Sequence, residues 1–88
     1  MSKVYTDIQA ERQRQDEKWG KDRSRHPLEW LTILGEEVGE VNRAVVEAHF
    51  SEYGKSCWWR YREELVQVAA VAVAMIECHD RNIWEADT

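Results

Sequence analysis

From Leu65 to Ile76 every residue is apolar except Gln67. No Pro or Gly occurs after Gly54, so this run reads as the middle of one long helix, from about Cys57 to Arg81. A helix that is apolar all round has to be buried all round. The run is 12 residues long, and a bilayer span needs about 20. Two further helices from a chain of 88 residues cannot enclose it. A second copy of the chain is therefore expected to cover the remainder, and the many alanines would let partner backbones approach closely.

The rest of the chain reads as two more helices. One Pro and four Gly leave few breakers. The first helix is expected over Lys3–Lys18, with Ser2 as N-cap and Gly20 closing it. Val4, Ile8, Gln15 and Trp19 form its stripe, with Arg12 on the edge. Lys21–Arg25 reads as a loop. Pro27 suits the first turn of a second helix running to about Phe50. Its apolar face is Trp30, Leu31, Leu34, Val38, Val41, Val45 and Ala48. Gly39 inside it costs about 1 kcal/mol against Ala, so a close approach by a helix or a ligand is its expected reason. Ser51–Ser56 reads as the connection to the third helix. The tail Asn82–Thr88 is expected to fray, with Trp84 as a pin. The expected fold class is all-α: one domain over 1–88, a three-helix protomer assembling into four-helix-bundle-like units.

Charge and cysteine content narrow the function. A net charge of −5 and a pI near 5.1 lack the basic footprint of a nucleic-acid binder. Cys57 and Cys78 form no CxxC pair and suggest neither a disulfide framework nor a zinc site. No apolar signal segment opens the sequence. These features point to a cytoplasmic protein with no membrane partner.

Two acidic stretches carry the chemistry: Glu36-Glu37-Val38-Gly39-Glu40 and Glu63-Glu64-Leu65-Val66-Gln67. Carboxylates three or four residues apart stack on one helix face. Glu37 and Glu40 lie on a stripe with Ile33 and Ala44, so half-burial is expected, and a half-buried like-charged pair needs a cation or a proton. Two such faces make an oxygen-lined pocket of the kind Mg²⁺ takes. Glu36 reads equally well as part of an exposed ladder with Arg43 and Glu47. Glu64 and Gln67 share a stripe with Arg60, Val71 and Cys78. Gln67 stands open between a core glutamine bridging two helices and a ligand. Glu63 lies on the outer flank of that stripe. Gln15 and Trp19 are either a ragged amphipathic edge or the face toward a bound base, and spacing does not favour the second. Arg60 belongs to a set of basic residues able to hold phosphates, with Lys18, Lys21, Arg23, Arg25, Lys55 and Arg62. His26 is open between cap and ligand.

The stretches "QDEKWG", "EWLTILGEEVGEV" and "YREELVQVAAVAVAMIE" together resemble the MazG-like family of all-α nucleoside triphosphate pyrophosphohydrolases, over about Tyr5 to Arg81. That family carries Glu-Glu-x-x-Glu on one helix and Glu-x-x-Asp on the next. Here the matching residues are Glu36, Glu37, Glu40 and Glu64, with Gln67 in place of the Asp. The resemblance implies a homodimer or homotetramer. It also implies Mg²⁺-dependent (or Mn²⁺-dependent) cleavage of a nucleoside triphosphate between the α and β phosphates. Glu37, Glu40 and Glu64 are then metal ligands together with Gln67, and Glu36 and Glu37 are the catalytic carboxylates. Gln15, Trp19 and Arg60 are the expected substrate contacts. An amide at position 67 brings no negative charge, so metal is expected to bind more weakly. A catalytically weak or inactive nucleotide-binding module of the same fold is the alternative. The later Glu77 and Asp80 repeat the Glu-x-x-Asp spacing but lie about 20 Å further along the helix.

Overall fold

A computed structural model describes residues 2–21, 24–50 and 54–82, with the backbone alone at 54–57. These residues form three helices: α1 (Lys3–Trp19), α2 (Pro27–Phe50) and α3 (Gly54–Asn82). The all-α expectation holds. Gly54 opens α3 rather than lying in the connection, so α3 starts about one turn before the expected Cys57. The remainder of that connection (51–53), Arg23, the side chains of Lys55 and Cys57, and the tail with Trp84 lie outside the described residues.

The helix ends show which local signals act. Gly20 takes φ +93°, and its N–H donates to the Asp16 carbonyl at 2.8 Å, closing α1 as expected. The hydroxyl of Ser2 makes no capping bond. Instead its carbonyl accepts from the N–H and the hydroxyl of Thr6, both at 3.2 Å. His26 proves to be a cap. Its Nδ1 accepts from the Leu28 N–H at 3.1 Å, and Glu29 Oε1 accepts from the His26 N–H at 3.2 Å. This is a capping box with an imidazole in the hydroxyl's role, followed by Pro27 at the first helical position.

α3 is the central element. α2 and α1 both pack on it, and α1 and α2 make no contact with each other among the described residues. The α2–α3 pair is antiparallel: Glu47 meets Arg60 near the connection, and Trp30 meets Cys78 at the far end. Small residues line the seam, with Ala44 and Ala48 buried on α2 and Ala70 and Ala74 on α3. At the far end Trp30, Val71, Ala74 and Cys78 form the core, flanked by Ile33, Leu34 and Met75. The Cys78 thiol is free and buried, 3.5 Å from the Arg25 carbonyl.

α1 is held to α3 largely through charge. Arg12 bridges Asp16 at 3.1 Å and Glu77 at 2.6 Å, and Arg62 meets Asp7 at 2.8 Å. The expected apolar stripe of α1 is thin. Val4 and Trp19 are exposed, Ile8 is half-buried, and Glu11 and Gln15 are the buried residues.

Among the described residues, nothing covers one flank of the α2–α3 hairpin. Leu31 and Val38 are exposed on α2, and Trp58, Leu65 and Ile76 on α3. The intervals of seven and eleven residues put each set on one stripe, and in an antiparallel pair the two stripes fall on the same side. α1 occupies the opposite flank. The molecule measures 53 × 28 × 22 Å with a radius of gyration of 15.1 Å, against about 12 Å for a compact chain of this length. No helix among the described residues is long and apolar enough to cross a membrane.

Trp30 is the largest side chain of the core. Trp30→Ala is expected to cost about 3–5 kcal/mol, read as a lowered urea midpoint.

Candidate functional site

The acidic residues of α2 and α3 meet in the α2–α3 seam. Wound as helices, α2 presents Glu37 in the middle of its core face and Glu40 at the edge nearer α1. Glu64 of α3 lies opposite, only 8% exposed. Glu37 and Glu40 are half-buried, as their stripe with Ile33 and Ala44 predicts. Each of Glu37 and Glu64 keeps a buried carboxylate oxygen, Oε2, with no hydrogen-bond partner.

The electrostatics follow from this placement. Burial pushes the Glu37 carboxyl above its ordinary range, and Glu64, Glu40 and Glu36 push it the same way. Burial likewise raises Glu64, with Glu40 and Glu63 adding to the effect and Arg60 opposing it. Arg60 is already engaged by Glu47 at 3.3 Å. Negative charge in this seam is therefore undercompensated by the protein's own cations. Among the described residues, however, no group of three or more His, Cys, Asp or Glu side chains converges as a metal-holding set.

The other sequence candidates separate. Gln67 is half-buried one turn beyond Glu64, without a side-chain hydrogen bond among the described residues. Its Oε1 is thus available to a ligand, and the interhelical bridge is not formed. Glu36 is exposed, and the Arg43–Glu47 pair of its expected ladder forms at 3.6 Å. Gln15 is 4% exposed against α3 and donates to Glu11 Oε2 at 3.2 Å. Trp19 is 49% exposed with the Lys18 ammonium 4.7 Å over its ring. Neither is brought to the carboxylates, because α1 touches only α3. Glu11, buried and paired with Arg14, was the residue missed. Its signal was present in the spacing Ile8, Glu11, Gln15, a stripe better centred than one through Arg12. Glu77 and Asp80 line an open groove of about 850 Å³ with Arg12, Asp16 and Lys21. That groove lies away from the Glu37–Glu64 seam.

Mg²⁺ commonly takes one or two carboxylates and completes its shell with water and substrate phosphates. The orphaned oxygens of Glu37 and Glu64 fit that mode; among the described residues no closed cage of three protein carboxylates forms. Comparison with protein-family models, with curated proteins and with solved structures finds no match to this chain.

The raised carboxyls have a consequence for stability. Between the ordinary glutamate value near 4.5 and the higher folded values, the native state binds more protons than the unfolded chain. Stability from these groups is complete below the ordinary value and is lost as pH rises through the folded ones. Metal-free protein is therefore expected to gain stability as pH falls from neutral toward 5. Glu64→Gln should flatten that slope, as urea unfolding across pH would show.

Proposed function

We propose that the chain is a metal-dependent nucleoside triphosphate pyrophosphohydrolase, as its resemblance to the MazG-like family implies. The observation that carries this reading is the pair of buried, partnerless carboxylate oxygens on Glu37 and Glu64, with Glu40 beside them. Glu37 and Glu64 would hold Mg²⁺ or Mn²⁺, with Glu40 adding charge and the Gln67 amide oxygen at the rim. Bound there, the ion would neutralise phosphate oxygens and lower the pKa of a bound water. The chain's own residues then supply position and proton handling. Arg60, on the same stripe as Glu64, would exchange Glu47 for a substrate phosphate. Glu36, exposed next to Glu37, would take the proton of the attacking water. The bond between the α and β phosphates breaks, giving a nucleoside monophosphate and pyrophosphate. Positioning and charge neutralisation are most of what such a reaction needs.

A second reading is a nucleotide-binding module without turnover. It is favoured by the absence of a closed three-ligand set among the described residues and by Gln67 in place of a carboxylate.

The assembly we propose is a homodimer or homotetramer paired through the uncovered flank of the α2–α3 hairpin, so that two hairpins form a four-helix unit. Exposed Leu31, Val38, Leu65 and Ile76 support it, as does the elongation of the single chain. Burying such side chains is worth about 1.5–3 kcal/mol each.

Two experiments test these proposals. Pyrophosphate release from ribo- and deoxynucleoside triphosphates, with Mg²⁺, Mn²⁺ or chelator, is expected to require the ion and to fall roughly 100-fold or more in Glu40→Ala and Glu64→Ala. Full activity in either variant would remove that residue from the site, and binding without turnover would select the second reading. For the assembly, sedimentation velocity should give an oligomer for the wild type and a monomer for Leu65→Glu with Ile76→Glu.

A further inference from the structure

We propose that the smaller groove between α1 and α3 seats a nucleobase, with Trp59 as the surface on which the base stacks and Glu63 as the acceptor for its amino group. The proposal rests on the nucleotide reading of the neighbouring carboxylates. The groove measures about 380 Å³, within the range of small-molecule sites. Its walls are Trp59, Arg62, Glu63 and Val66 of α3 and Glu11 and Arg14 of α1.

Three features point to a base. Trp59 is 61% exposed at the groove, and an open indole beside charged residues offers a stacking face to any planar ring. The groove's two guanidinium groups are already engaged, Arg14 by Glu11 and Arg62 by Asp7 at 2.8 Å. Glu63 has no hydrogen bond or ion pair among the described residues, so the group left to read a ligand is an acceptor. A carboxylate accepts and does not donate. It therefore favours bases with an exocyclic amine (adenine, cytosine, guanine) over uracil and thymine, whose one free N–H lies between two carbonyl oxygens that repel a carboxylate.

The placement suits a single nucleotide. Trp59 and Glu64 are separated by about 7.5 Å of helix rise and by about 140° around α3. Glu63 and Gln67 lie on the flank of α3 between the two sites, the flank that α1 and α2 leave open by not touching. A base on Trp59 can send its phosphates past Arg60 and Gln67 to Glu37 and Glu64. Of the other candidates for this role, Gln15 is buried against α3, and Trp19 lies at the end of α1 with the Lys18 ammonium over its ring.

The test titrates metal-free protein with AMP, CMP and UMP, following tryptophan fluorescence and the indole N–H signal of Trp59. Expected are AMP and CMP binding tighter than UMP and retention of binding in Trp59→Phe. Trp59→Ala should lose about tenfold or more in AMP affinity, with a matching rise in KM for the triphosphate. Glu63→Gln should erase the preference for amino-bearing bases. Trp59 is exposed, so circular dichroism should show the same fold in its variants. No monophosphate binding by the wild type, or AMP affinity and KM unchanged in Trp59→Ala, overturns the seat. Trp59-dependent binding with no turnover of any triphosphate keeps the seat and removes the hydrolase; turnover with an unchanged KM in Trp59→Ala does the reverse.

Discussion

Close approach along the α2–α3 seam is the constraint on which the rest of the molecule depends. Ala44 and Ala48 on one helix and Ala70 and Ala74 on the other leave little side-chain volume between the backbones. Helices packed that tightly bury whatever else shares the seam. Glu37 lies at the centre of the α2 core face and Glu64 opposite it, so two carboxylates are desolvated together. A sequence selected for stability alone would place apolar residues at both positions, because an uncompensated buried charge is costly. The cost is offset only when a proton or a cation arrives, which makes the seam chemically responsive.

The two flanks of the hairpin divide the remaining work. One is apolar and uncovered, with Leu31, Val38, Leu65 and Ile76 open to solvent in the single chain. The other carries Glu40, Glu63, Gln67 and Arg60 and is shared with α1. Because α1 packs on α3 and not on α2, it borders the polar flank without closing it. Its attachment through Arg12–Glu77 and Arg62–Asp7 is weaker than an apolar seam, since partly exposed ion pairs contribute about 0–1 kcal/mol each. The buried Glu11–Gln15 pair adds polar burial where a core helix would carry leucines.

Much of this is legible in the sequence. Pro27, Gly20 and the helical periods locate the three helices to within about a turn, because helix start and stop signals are local chemistry. The half-burial of Glu37 and Glu40 follows from their stripe with Ile33 and Ala44. The placement of Gln15, Trp19 and Glu11 was less legible, because a thin amphipathic stripe does not say which neighbour it meets. Ser2 was expected to cap through its hydroxyl, whereas its carbonyl engages Thr6. His26 is a cap because Leu28 and Glu29 close around it, which its own residue type does not specify.

The sequence by itself determined the helices, their apolar faces, the pairing of carboxylates on α2, and the excess of apolar surface that one chain cannot bury. These are consequences of a 3.6-residue period and of local backbone chemistry. Only the tertiary structure decided that Glu64 faces Glu37, that α1 leaves α2 untouched, and that Trp59 opens on a groove beside Glu63. Those facts depend on how helices approach and cross, which is set by side-chain volume summed over a whole interface, and no local pattern encodes that sum.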